Sequence, residues 1–215
     1  MAMDDLWREE YWLLLMQLYL RKPVGVKATY SRPMVELSME LHIPPQVLRE
    51  KMFRLRSTDT PRMERLWEKY GHSPRKLANE VRKLRQMAGF SNAGEFYAGV
   101  EVSESFERYF RPIHGRPELK PLMLVMILDL YFRLTPITMV EKTPEIQHLA
   151  KVMKVKPGTV VEVMEIFQIY DPYLDRGEII FSALLAPCRE VWQRYGSDRF
   201  EELSALSAQL VEYFK

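Results

Sequence analysis

Apolar positions along the chain recur at the three- to four-residue spacing of α-helices, and no run alternates as a β-strand would. Prolines and glycines divide this pattern into segments, and Gly71 and Gly89 are expected to follow helix ends, with Ser73 as an N-cap. The pattern predicts an all-α protein. The predicted helices are 4–21, 33–41, 45–56, 61–70 and 74–87, a short one at 103–110 capped by Ser103, and then 118–133, 144–153, 157–169, 175–195 and 198–214.

The most apolar run, 119–134, is too short to span a bilayer and contains three charged residues, so we expect a buried core helix. The N-terminus is acidic where a secretory signal would be basic. Cys188 is the single cysteine, which excludes an intramolecular disulfide and a thiolate zinc site. We therefore expect a cytoplasmic protein with no membrane contact, no metal and no cofactor.

Two parts of the chain match each other when the sequence is shifted. At an offset of 112, Leu18-Tyr19-Leu20-Arg21 falls on Leu130-Tyr131-Phe132-Arg133. At 125, the Trp67-to-Gly71 segment falls on Trp192-to-Gly196. Glycine and proline are concentrated between the copies and interrupt helices. The sequence predicts two tandem, related helical units, 1–90 and 118–215, joined by a Gly/Pro-bearing connector at 91–117.

A break of three or four residues separates predicted helices 33–41 and 45–56, and His42-Ile43-Pro44 occupies it. A short helix, a tight break and a second helix are the spacing of a helix-turn-helix. Leu48, Met52 and Leu55 then form one apolar stripe on the second helix. The same spacing also fits a compact three-helix unit that does not contact DNA.

Several short motifs add a family resemblance. The segment Leu18-Tyr19-Leu20-Arg21-Lys22-Pro23-Val24-Gly25, followed by Arg32-Pro33 and Asp59, resembles the helical N-terminal domain of bacterial restriction endonucleases of the HNH type. In the second copy the similar segments are Thr143 to Ile146, Leu149-Ala150, Pro157 to Val160, Asp171-Pro172, Arg176-Gly177 and Arg189 to Trp192. The resemblance implies a helix-turn-helix-like module for DNA association. No HNH nuclease module follows either copy within these 215 residues, so it implies no hydrolytic chemistry.

Charge is distributed unevenly between the copies. Residues 1–90 contain 17 lysines and arginines against 11 acidic residues, whereas residues 91–215 contain 14 against 18. Clustered cations suit phosphate contacts, although such a cluster is often only a solvated helix face. The candidate nucleic-acid-binding residues are Arg49, Lys51, Arg54, Arg56, Arg82, Lys83 and Arg85.

At the offset of 112, the basic positions of helix 45–56 become Val161, Val163, Ile166 and Gln168. A helix that is apolar on most sides requires burial. We expect it to pack against the first copy, the connector or a second chain. The candidate interface residues are Val161, Val163, Ile166 and Phe167.

Motifs of common enzyme classes, such as Walker A or His-Glu-x-x-His, do not occur in the sequence. His114 is expected in a surface loop and Cys188 as an inert buried thiol. The sequence favours a non-enzymatic DNA-associated protein whose first copy contacts the phosphates of duplex DNA. The alternative is a protein-interaction or homodimer module whose second copy binds a partner, without nucleic-acid binding.

Overall fold

The part of the chain that the structure describes forms ten α-helices and no β-strand, which confirms the all-α prediction. The computed structural model describes residues 7–90, 106–174, 181–197 and 199–215. The chain divides into two units, Met1–Ser103 and Glu104–Lys215. Each unit has its own apolar core and is described by itself below.

The first unit is built around its first helix, α1. The five helices are α1 (Tyr11–Leu20), α2 (Arg32–Leu41), α3 (Pro45–Ser57), α4 (Pro61–Tyr70) and α5 (Pro74–Gln86). Leu14, Leu15 and Met16 of α1 are buried, and α1 packs against α2, α3 and α5. Each of the helices α2 to α5 has a proline in its first turn. Proline is tolerated there because the backbone N–H groups of the first turn have no partner within the helix.

A left-handed residue joins α2 to α3. His42 has φ 57°, and the Ile43 N–H donates to the Ser38 carbonyl at 3.2 Å, closing the end of α2. Ile43 is buried, and α3 begins two residues later at Pro45. The turn therefore fixes the angle at which α3 leaves α2 and crosses α1.

The second unit also surrounds its first helix. Its helices are α6 (Pro121–Tyr131), α7 (Pro144–Met153), α8 (Pro157–Tyr170), α9 (Leu185–Tyr195) and α10 (Phe200–Leu210), with short 3-10 helices at Phe106–Phe110, Pro136–Thr138 and Val211–Phe214. Every side chain of α6 from Leu122 to Tyr131 is buried, and α6 packs against α7, α8, α9 and α10. The core helix expected in the run 119–134 is confirmed.

The turn between α7 and α8 has the same geometry as the turn between α2 and α3. Lys154 has φ 59°, and the Val155 N–H donates to the Ala150 carbonyl at 3.0 Å. A proline, Pro157, again begins the next helix.

The later half of the predicted connector belongs to the second unit. Phe110 and Ile113 are buried, and the 3-10 helix Phe106–Phe110 packs against α6. Residues 91–105, which include the predicted cap Ser103, lie outside the described residues, as do 175–180 of the predicted helix 175–195. Residues 106–117 thus contribute to a core rather than only linking two.

A tryptophan packs over a glycine at the end of α4 and again at the end of α9. Gly71 follows α4 as predicted, but its φ is −56° and not left-handed. A Cβ there would lie 2.6 Å from the Trp67 carbonyl oxygen and 2.9 Å from the Trp67 ring. At Gly196 the distances to Trp192 are 2.6 Å and 2.8 Å. Glycine is required because the indole folds back onto the helix end.

Candidate nucleic-acid interface

Helix α3 has one buried side and one open side. Leu48, Met52 and Leu55 are buried completely, as the apolar stripe predicts. The side chains facing away from this stripe are exposed: Gln46, Arg49, Glu50, Phe53 and Arg54. The open side of α3 is the surface examined as the candidate site.

Three arginines on α3 have no carboxylate partner among the described residues. Arg49, Arg54 and Arg56 are exposed, and within that part of the chain none lies within 4.0 Å of an acidic oxygen. Arg54 and Arg56 lie in the last turn, where the partial negative charge of the helix end also stabilises them. These arginine side chains are therefore free of ion pairs among the described residues and could bind a phosphate.

Lys51 differs from the three arginines. It is half-buried, and its ammonium nitrogen lies 5.2 Å from the centroid of the Trp7 ring. A cation over an indole face is attracted by the ring's electron density. Lys51 thus packs on α1's N-terminal flank and is less open to a ligand than its position in the basic set suggested.

The basic residues predicted on α5 already have partners. Arg85 makes a bidentate ion pair with Glu40 of α2, at 2.6 and 2.8 Å. Lys83 pairs with Glu80 at 3.1 Å, and Arg82 donates to the Asn79 side chain at 3.1 Å. Arg85 joins two helices of the unit, so its main contribution is to the fold.

Phe53 is the residue of this surface that the charge pattern does not identify. Its side chain is 42% exposed, and the Arg49 guanidinium lies 5.1 Å from its ring centroid. Phe53 follows Arg49 by four residues and lies on the side of α3 away from the Leu48–Met52–Leu55 stripe. A helical projection of the sequence therefore predicts that Phe53 lies on the exposed side of α3.

The residues predicted as an interface on α8 lie mostly in the core of the second unit. Val163, Ile166 and Phe167 are at most 2% exposed, and only Val161 is partly open. This corrects the interface prediction for the three buried residues, since they cannot contact a partner while the unit is folded. The apolar surface of α8 is satisfied within its own unit, against α6, α7 and α9.

A loop ion pair and α9 cover α8. The Arg116 guanidinium makes two hydrogen bonds to the Glu162 carboxylate, one of them at 2.8 Å, and a third at 2.7 Å to Glu118. These bonds raise the pKa of Arg116 and lower that of Glu118. Cys188 on α9 is fully buried, and burial, helped by the nearby Glu162 charge, raises its thiol pKa to about 12.

The second unit contains a groove of about 410 Å³ between α6, α7 and α10. The groove is lined mainly by apolar side chains, and Arg133, Glu145 and His148 also line it. Arg133 is bound to the buried Asp129 carboxylate at 2.8 Å, and Ser204 donates to the same carboxylate. Arg133 and Asp129 are thus one partnered pair at the edge of the groove.

Among the described residues, no three histidine, cysteine or acidic side chains cluster closely enough to hold a metal ion. Within the same ranges, no helix combines the length and the apolar character needed to cross a bilayer.

The chain matches no protein-family model, no curated protein and no solved structure with which it was compared.

Proposed function

We propose that this chain is a non-enzymatic, cytoplasmic DNA-associated protein whose first unit contacts the phosphates of duplex DNA through α3. The single observation behind the proposal is on α3, where Arg49, Arg54 and Arg56 are exposed without a carboxylate partner among the described residues. Duplex DNA presents closely spaced phosphate charges, and exposed arginines neutralise them while releasing counterions.

The arrangement of the first three helices supports α3 as the DNA-contacting helix. Helices α1, α2 and α3 pack against one another in all three pairs. In a helix-turn-helix the second helix of the motif enters the major groove, and the other helices hold it. Here the corresponding helix is α3, because it follows the tight turn at His42 and Arg49, Phe53 and Arg54 on its outer side are exposed.

A tandem relationship between the units is part of the proposal. Support comes from features that recur at the two sequence offsets. They are the left-handed turns at His42 and Lys154, the glycines beneath Trp67 and Trp192, and the ring contacts Tyr19–Trp67 at 5.6 Å and Tyr131–Trp192 at 5.9 Å.

The sequence resemblance to the helical domain of HNH-type restriction endonucleases is consistent with this proposal. That resemblance implies DNA association by a helical module, and the segment that carries it, Leu18 to Gly25, includes the end of α1. We propose that the chain contributes binding and not hydrolysis.

Fluorescence anisotropy with a labelled duplex of roughly 20 base pairs, two helical turns, tests the proposal. Combined replacement of Arg49, Arg54 and Arg56 by Ala is expected to weaken binding at low salt by about tenfold or more. The matched control replaces three exposed lysines of the second unit, Lys142, Lys151 and Lys156, by Ala, and should retain most of the affinity. Absence of binding by the parent protein at low salt would exclude the function.

Protein interaction through the second unit is the second candidate, at residues other than those predicted on α8. Ile137, in the 3-10 helix Pro136–Thr138, is 90% exposed, and Val140, between that helix and α7, is 49% exposed. Aliphatic side chains gain free energy when a partner covers them. Analytical ultracentrifugation of the parent and of Ile137→Ser should then show self-association only in the parent. A monomeric parent excludes the homodimer form of this candidate.

A further inference from the structure

The side chain of Phe53 lies within the cationic surface of α3. Its phenyl ring is 42% exposed, with Arg49 one helical turn before it and the exposed Arg54 next to it in the sequence. Cations suffice for phosphate contacts, whereas a phenyl ring can add only apolar contact, which phosphates do not offer. If α3 enters the major groove, the ring faces the edges of the bases.

The largest apolar group displayed in the major groove of unmodified DNA is a methyl group. It is the C5-methyl group of thymine, since the other base edges present hydrogen-bond donors and acceptors there. A phenyl ring has no hydrogen-bonding capacity with which to contact those polar edges. The thymine methyl is therefore the feature of duplex DNA that matches Phe53 chemically.

Arg49 restricts the position of the ring. Its guanidinium lies 5.1 Å from the Phe53 ring centroid, one helical turn away, which is within the range of a cation–π contact. The stack holds the phenyl group beside a cation that can bind a phosphate or a base edge. The contact therefore favours one orientation of the ring before DNA is bound.

We infer that Phe53 contacts the C5-methyl group of thymine in the major groove, giving the first unit a preference for methylated pyrimidine edges. This inference rests on the proposed DNA contact of α3. It adds a chemical preference, whereas phosphate contacts alone are indifferent to sequence.

Paired duplexes that differ only in methyl groups test the inference. The first pair is alternating d(AT) against alternating d(AU), in which uracil lacks the methyl group. The second pair is alternating d(GC) against the same duplex with 5-methylcytosine, which gains it. Binding of the full chain to each duplex is measured by anisotropy at one low salt concentration.

For the parent protein the methylated member of each pair is expected to bind about fourfold more tightly, the effect of burying one methyl group. In Phe53→Ala both ratios should fall to about one, while Phe53→Leu should keep part of them. Phe200→Ala, at a 48% exposed phenylalanine of the second unit, is the matched control and should keep both ratios.

The outcomes separate this inference from the proposed function. Tight binding with equal affinities for both members of each pair overturns the methyl contact and leaves the phosphate contact of α3 intact. If Phe53→Ala keeps the preference for the methylated duplexes, another residue contacts the methyl group, and the inference is overturned. Absence of binding to all four duplexes removes the proposed function and the inference together.

Discussion

Helices α3 and α8 follow similar turns but differ in what lies on their outer sides. α3 follows the left-handed His42 and leaves Arg49, Phe53 and Arg54 exposed. α8 follows the left-handed Lys154, and its Ile166 is buried. The backbone turn is thus compatible with either a solvent-facing or a buried helix.

The difference shows that neighbouring elements decide the environment of such a helix. α9 packs along α8, and the Arg116–Glu162 ion pair lies over it. In the first unit, α4 reaches α3 at its C-terminal end, where Trp67 Nε1 donates to the Leu55 carbonyl at 2.8 Å. Among the described residues of the first unit, the outer side of α3 stays exposed, as the proposed DNA contact requires.

Exchanging side chains between the two helices should give the largest effect. Ile166→Arg places a charge without a partner in the core of the second unit and should cost about 4 kcal/mol or more of unfolding free energy. Arg54→Ile, at an exposed site of α3, should change that free energy by less than about 0.5 kcal/mol. Urea unfolding followed by circular dichroism measures both. Similar stabilities of the two variants would contradict the contrast.

The pH dependence of thiol chemistry gives a second contrast. Burial raises the pKa of Cys188 from 9.0 to about 12, so its neutral thiol stabilises the fold below pH 9. That contribution is lost as the pH rises from about 9 towards 12, because the unfolded thiol ionises first.

A Ser57→Cys variant compares, within one molecule, an exposed thiol on α3 with the buried Cys188 thiol where α9 packs on α8. At pH 8 a maleimide should modify the exposed Cys introduced on α3 at least about a hundredfold faster than Cys188. Mass spectrometry counts the labels over time, and both thiols should react at similar rates in urea. Equal rates in the folded protein would show that α9 does not seal α8.

Glycine substitutions test the feature that the two units share. Gly71→Ala and Gly196→Ala each place a Cβ within 3 Å of a tryptophan and should each cost about 1–3 kcal/mol. Gly158→Ala is the control, since its nearest neighbour is the end of the flexible Glu141 side chain. Thermal unfolding measures the three variants. A neutral result at only one of the two tryptophan sites would weaken the proposed relationship.

Local patterns predicted most helices because each depends on nearby residues, but α1 begins at Tyr11 and α9 at Leu185, later than predicted. α4 and α7 have the predicted bounds, and prolines in first turns place the starts of α3 and α8. The sequence pattern predicts no cap for α4, where Thr60 Oγ1 accepts the Met63 N–H at 3.4 Å. Ser73 precedes α5 but makes no side-chain cap bond.

The environment of each predicted site residue depends on how segments distant in the sequence pack together. The spacing of residues along the chain does not predict that packing. The apolar character of α8 correctly indicated burial, but not that α6, α7 and α9 supply it. Charge alone could not distinguish Arg85, bound to Glu40, from Arg54, which has no carboxylate partner among the described residues. Phe53 was overlooked because it belongs to neither the charged nor the buried set.

The salt dependence of duplex binding tests the central claim most directly. For the parent, the logarithm of the association constant should fall linearly with the logarithm of salt concentration. Replacing Arg49, Arg54 and Arg56 by Ala should reduce that slope by about 2.7, roughly 0.9 for each lost phosphate contact. The lysine control at 142, 151 and 156 should retain the parental slope. Equal slopes for the parent and the arginine variant would contradict phosphate contact by α3.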